Sequence, residues 1–199
     1  MTMLDGVRKE RAATTRAALI RAGRELFARQ GYHGAGTHEL VAVAQVTRGA
    51  LYHHFQDKAA LFEAVFHEVE ADLVRQASAA VETLAADPWR QLHVGLEVFL
   101  RLIAGQPEMQ RILLLDGPVV LGWPKWRELE SAFTLGHIVS SLARSIELGV
   151  LREQPVAPMA HLILAALNEA ALLIAHSEDP ESTQVEVSEA LLRLVGGLR

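Results

Sequence analysis

"TRGALYHHFQDKAALF", residues Thr47 to Phe62, gathers a capping threonine, an arginine, a glycine, a tyrosine, two histidines and a lysine around a short apolar repeat. Leu51 and Phe55 stand four apart, so they share one face of a helical turn and turn the polar groups outward. Thr47 is a preferred N-cap, because its hydroxyl can accept from a free N–H of the first turn, and it starts a helix over 48–54. Asp57 caps the next helix in the same way. His53 and His54 are adjacent and diverge by about 100° on a helix, so they cannot chelate one ion. The stretch therefore predicts an exposed recognition element and no metal site.

Upstream, Leu19, Gly23 and Phe27 recur every fourth residue, with Ile20 and Leu26 beside them. Arg16, Arg21, Arg24 and Arg29 surround this stripe, which predicts one amphipathic helix from about Arg8 to Gln30. Gly31 is placed to cap it in a positive-φ conformation, with Tyr32 folding back on the last turn. "HGAG" (33–36) reads as a loop, and a second helix runs from Gly36 or Thr37 to about Ala44, with Leu40 and Ala44 inward. Three short helices, the last two joined by "QVT", form a helix-turn-helix.

Charge follows the same division. Residues 1–60 hold nine Lys/Arg against five Asp/Glu. Residues 61–199 hold ten against nineteen, so a basic quarter is joined to an acidic body although the whole chain carries -5. A local polyanion-binding module has this character. There are no cysteines, which excludes disulfides, thiolate metal sites and cysteine nucleophiles. The N-terminus has no apolar run of the signal-peptide kind, and a cytoplasmic protein is expected. "PMAHLILAALNEAALLIAH" is interrupted by His161, Asn168 and Glu169 and reads as a buried helix rather than a membrane span.

The fourth helix is longer. Leu61, Val65, Val69 and Leu73 repeat every fourth residue, with Phe62, Phe66, Ala77, Val81 and Leu84 continuing the stripe. From Asp57 to Leu84 it makes a rod of roughly 42 Å. Further helices are expected at about 88–105, 107–115, 124–148, 157–176 and 182–198, broken at "GQP", "DGPVVLGWP", "EQPVAP" and "SEDPES". No catalytic His or Ser pattern accompanies Asp116, so "DGP" is taken as a turn. The last two helices carry apolar residues over a wide arc. Leu162, Leu167, Ala170 and Leu173 lie on one, Val185, Leu191, Leu192 and Val195 on the other, and such an arc needs a second surface to cover it.

The segment "RAALIRAGRELFARQGYHGAGTHELVAVAQVTRGALYHHFQDKAALFEAV", with its "LYHHF…K" core, resembles the DNA-binding segment of the TetR/AcrR family of transcriptional regulators. The resemblance covers about the first third of the chain. It implies an all-α protein with a three-helix DNA-binding domain at 1–56 and a helical ligand-binding and dimerisation domain at 57–199. It further implies phosphate contacts from Thr37, Tyr52, His54 and Lys58. Base readout would come from Arg48, Gly49, Ala50 and His53, joined by His38, with Thr47 at the helix start. Gln45 stands where such sequences often have Gly. The family's ligand cavity lies among helices four to eight, and its candidate wall here is Phe66, Phe99, Ile103, Leu113, Trp123, Trp126, Phe133, His137 and Asn168. The last two helices would pair with those of a second copy. Expected partners are therefore a palindromic double-stranded operator, a small apolar or amphipathic effector and a second copy of the chain, with no membrane, cofactor, metal or enzymatic activity. Repression released by the effector is the expected function. A helical-bundle carrier or enzyme with a vestigial N-terminal module, or a basic face docking on an acidic protein, remain as other readings of the residues. A two-fold DNA footprint separates them from the first.

Overall fold

A computed structural model describes residues 3–84 and 86–198, and among these every regular element is helical. Helix α1 (Met3–Gly34) presents Leu19, Ala22, Leu26 and Phe27 inward. Its regular path ends at Gly31, where φ is 73°, and a last turn follows to Gly34. Only glycine adopts this conformation without steric cost. A Cβ at Gly31 would also collide with the Arg111 guanidinium.

Helices α2 (Thr37–Val43) and α3 (Arg48–His54) follow. Gln45 in the turn between them has a φ of 56°, a left-handed position that costs a non-glycine residue about 1 kcal/mol. Leu40, Leu51 and Phe55 are buried and seat the pair on α1, and α4 (Lys58–Val81) follows. Helix α4 has 24 residues, roughly 36 Å at 1.5 Å per residue, and ends in a 3₁₀ turn, Glu82–Leu84. It crosses α1 closely: an added Cβ at Gly23 would stand 3.0 Å from Val65.

The body is a bundle built around the far half of α4. Helix α5 (Pro88–Gly105) is capped by Asp87, which accepts from the Arg90 N–H at 2.8 Å. The next stretch departs from expectation. Helix α6 (Pro107–Met109) runs through a π-helical segment, Gln110–Asp116, into α7 (Gly117–Leu121), so "DGP" is no turn. A proline in a regular helix clashes with the carbonyl four residues earlier, and the wider π turn relieves that clash. The chain breaks only at Gly122, where φ is 75°. Helix α8 (Trp123–Glu130), a second π segment (Ser131–Leu135) and α9 (Gly136–Glu147) then form one interrupted rod.

Helices α10 (Val156–Ala175) and α11 (Pro180–Gly196) close the bundle. By length and composition α10 is long and apolar enough to cross a membrane, yet Ala160, Ile163, Leu164, Leu167, Ala171 and Ile174 are buried in this chain's own core. Four residues expected at a subunit interface are likewise inside the protomer. Leu167, Ala170, Leu191 and Val195 are buried and Leu192 is partly so. Leu162, 65% exposed, Leu173, 51% exposed, and Val185 face outward as anticipated, together with Leu194. The arc was apolar on both sides, and the inward side fills the bundle.

Candidate nucleic-acid interface and internal cavity

The sequence places α3 at the surface by anchoring it from beneath. Leu51 and Phe55 are buried, while Thr47, Arg48, Gly49, Tyr52 and His53 are exposed and Ala50 and His54 half-buried. The Thr47 hydroxyl accepts from the Ala50 N–H at 3.1 Å, which caps the helix as expected. Arg48 lies over the Tyr52 ring, 5.6 Å from its centroid, so stacking one turn apart pre-orders both side chains. His53 and His54 stand edge to face at 5.2 Å. Burial, followed by the nearby charges of His53 and Arg16, lowers the pKa of His54. His38 is exposed and Thr37 half-buried at the first position of α2, behind Gly36, which offers no side-chain cap.

Gly49 is not required by packing, since a Cβ there would meet only the Thr47 hydroxyl at 3.8 Å. Arg16 joins this face from α1, its guanidinium 5.2 Å from the Phe55 ring centre. One of several arginines on α1, it had no distinguishing mark in the sequence. Only the packing of α1 against α3 brings it here.

Lys58 is turned elsewhere. Its ammonium donates to the carbonyls of Tyr32 at 2.8 Å and Ala35 at 3.0 Å and lies 4.2 Å from the Tyr32 ring centre. Burial lowers its pKa. In this position it ties the end of α1 and the following loop to the start of α4. The cause is the break at Gly31, which leaves those carbonyls without helical partners. Tyr32 folds back on α1 as expected, its ring 5.8 Å from that of Phe27, and also packs edge-on against Phe62 of α4.

The body reaches the same point. The Tyr32 N–H donates to the Asp116 carboxylate at 2.7 Å, and Arg111 pairs with Asp116 at 3.4 Å while covering Gly31. Asp116 is thus a link between the π segment and α1 rather than a turn residue. One helical layer further, Arg24 of α1 bonds to Glu108 and to Asp72 and stands 3.5 Å from Glu68. Glu108 first, then Asp72, push the arginine pKa upward against the opposing effect of burial. For Asp72 burial acts upward, but bonding to Arg24 and Arg75 holds its carboxyl below the usual range.

Among the described residues, two adjoining cavities lie in the body. The outer one, about 140 Å³, is lined by Val74 and Ala77 of α4, Leu92 and Phe99 of α5, and His137 and Ile138 of α9. The inner one, about 20 Å³ and so roomy enough for one water-sized group, is walled by Phe66, Phe99, Ile103, Leu113 and Trp126, with Leu73 and Leu114. Its polar lining is Glu70, Glu130, Asn168 and Thr134. Phe99 and Thr134 border both. Six of the nine expected wall residues therefore meet at the inner chamber, and His137 lies at the outer one. Trp123 lines neither cavity. It is 63% exposed and packs outside Trp126 at 5.0 Å, because Gly122 breaks the chain just before it. The side chain of Phe133 lies outside the described residues. Trp126 is held by its indole N–H, which donates to the Leu113 carbonyl at 2.8 Å.

Glu70 and Glu130 were missed. Both are buried, and burial raises both carboxyl pKa values: Glu70 to about 9, with the Glu130 charge adding to the effect, and Glu130 to about 7 against the opposing pull of Arg127. The signal existed for Glu70, which falls between Phe66 and Leu73 on the apolar face of α4.

This architecture has known relatives. Residues 19–65 match "Bacterial regulatory proteins, tetR family", and residues 89–198 match "Tetracyclin repressor-like, C-terminal domain". The chain belongs to the TetR family. A TetR-family transcriptional regulator from Pectobacterium atrosepticum superimposes with a TM-score of 0.82 at 32% identity, covering 100% of this chain and 97% of that one. RolR bound to resorcinol shares the fold with a TM-score of 0.74 at 18% identity, over 94% of this chain and 89% of that one. Among curated relatives, the HTH-type transcriptional repressor DhaR of Mycobacterium sp. (strain GP1) is 31% identical over 88 residues, 44% of each chain. The regulator AcrR of Shigella flexneri is 30% identical over 109 residues, 54% of this chain and 49% of that one. The matches thus span about half the length of those curated relatives.

Proposed function

We propose that this TetR-family chain is a ligand-responsive transcriptional repressor that binds a palindromic operator as a homodimer in the cytoplasm. Residues 1–56 serve as the DNA-reading module and 57–199 as the effector and pairing body. The observation that carries this reading is the outward face of α3. It is capped, seated on two buried side chains, and offers Arg48, Gly49, Tyr52 and His53 together on one exposed surface. Arg48 would give bidentate bonds to a guanine edge, while Gly49 and Ala50 let the backbone approach the groove floor and His53 meets a neighbouring base or phosphate. Thr37, Tyr52, His54 and Arg16 would hold phosphates, with His38 beside them. One short helix binds weakly, whereas two held about 34 Å or a multiple apart read a palindrome. The exposed Leu162, Leu173 and Val185 supply the apolar surface for pairing.

The regulatory step would begin in the cavities. Leu113 and Leu114 line the inner chamber, and two residues further on Asp116 holds the Tyr32 N–H. An effector that favours another position of this segment, or another tilt of α4, displaces α1 and α3 together. A hundredfold loss of operator affinity needs about 2.7 kcal/mol of differential binding between the two states.

The test is selection of bound sequences from random duplex DNA, followed by footprinting. A two-fold-symmetric protected site is expected. No retardation of any duplex at low salt would overturn the proposal.

A further inference from the structure

The inner chamber has more oxygen acceptors than its occupants use. Glu70 is 4% exposed and its Oε2 has no hydrogen-bond partner. Asn168 is 5% exposed, and although it lies near enough to Glu130 to favour that carboxylate's charge, neither atom of its amide forms a hydrogen bond. Arg127 donates to Glu130 Oε2 at 3.0 Å. Arg127 is thus one cation for two carboxyl groups. Buried polar groups of this kind are ordinarily satisfied, and here their unmatched atoms border the same empty space. Phe66, Phe99 and Trp126 make up its aromatic wall, and aromatic rings stabilise cations.

We infer that the inner chamber binds the protonated amine of a small apolar or aromatic molecule, its N–H groups meeting Glu70, Glu130 and the Asn168 carbonyl oxygen. An ammonium brings three donors and one positive charge, matching three oxygens and the uncompensated acid. The apolar body is directed past Phe99 and Thr134, which the chamber shares with the outer cavity. An anionic ligand is disfavoured, because it would add a third acidic group to two already buried.

Burial and the charge of Glu130 keep Glu70 protonated at neutral pH, and an entering ammonium ionises it. The charged or titratable groups around the chamber are Glu70 and Glu130 with Arg127, and His137 at the outer cavity. The lining residues from α5, the π segments and α10 carry no charge.

This inference rests on the effector cavity of the proposed function and is read without DNA. Calorimetry at neutral pH would compare phenethylamine, phenethyl alcohol and hydrocinnamate in buffers of different ionisation enthalpy. The amine is expected to bind at least about tenfold more tightly than the alcohol and to release about one proton, and hydrocinnamate to give no heat. Glu70→Gln, a neutral isostere of the protonated acid, should remove the proton release and most of the amine preference while keeping alcohol binding. Glu130→Gln should also weaken the preference, and thermal unfolding reports whether each variant is folded. Absence of amine binding, equal binding of the alcohol or acid, or a preference that survives both substitutions would overturn the inference. Those outcomes leave operator protection untouched, whereas amine binding by a chain that protects no duplex would defeat the repressor reading alone.

Discussion

Gly49 separates stability from function at a single position. Nothing but the Thr47 hydroxyl lies within contact of an added Cβ, and alanine is favoured over glycine in a helix by up to about 1 kcal/mol. Gly49→Ala is therefore expected to leave the melting temperature unchanged or raise it. It should also cost about tenfold in operator affinity, because the methyl group holds the helix off the groove floor. Equal affinity in a retardation assay would remove Gly49 from the interface. Glu70 has the opposite character, since its burial costs stability. Its folded pKa, about 9, lies above the unfolded value, so the folded state binds the extra proton. The stability this provides is complete below about pH 4.3 and declines steadily as pH rises to about 9. Glu70→Gln should flatten this decline and gain several kcal/mol over the parent near pH 9. Parallel urea titrations at several pH values would check it, and parallel curves for the two proteins would refute it.

At the scale of elements, the junction between α1 and the body determines how the two halves communicate. Gly31 breaks α1, Lys58 collects the carbonyls that the break releases, and Asp116 takes the Tyr32 N–H. Asp116→Ala leaves that N–H and Arg111 without their acceptor and should cost about 1–2 kcal/mol of stability. Its more telling effect is on coupling: an effector would still bind, but would lower operator affinity less than in the parent. Full release in the variant, measured by titrating effector into a preformed DNA complex, would exclude Asp116 from the relay. Arg24 acts in parallel. Arg24→Gln removes the cation shared by Glu68, Asp72 and Glu108 and should cost about 2 kcal/mol, since hydrogen bonds to charged groups are among the stronger ones.

For the whole molecule, the question is which apolar surface belongs to the protomer and which to its pair. Leu162 and Leu173 are exposed on α10, so replacing both with Glu should leave the helical content of the monomer intact. The same change should dissociate the dimer in sedimentation and abolish high-affinity operator binding. Leu191→Glu, at a buried position on α11, should instead unfold the bundle. A double variant that stays dimeric would move the interface elsewhere.

Local chemistry made the DNA-facing half legible in the sequence. The Thr47 and Asp57 caps, the spacing of Leu51 and Phe55, and the glycine at 31 are interactions among near neighbours, and helices α2, α3 and α4 stand where those signals put them. Most of the cavity wall was visible too, as bulky residues on inward stripes. Tertiary structure alone decided that Lys58 serves carbonyls of the α1 end, that Asp116 joins the body to α1, and that Leu167 and Leu191 fill their own bundle. It also brought Glu70, Glu130 and Asn168 around one space from three separate helices. Periodicity identifies which residues share a face, because that is a property of one helix. Which neighbour the face meets depends on elements far apart in the chain, and a helix apolar on two sides carries no mark of which side turns inward.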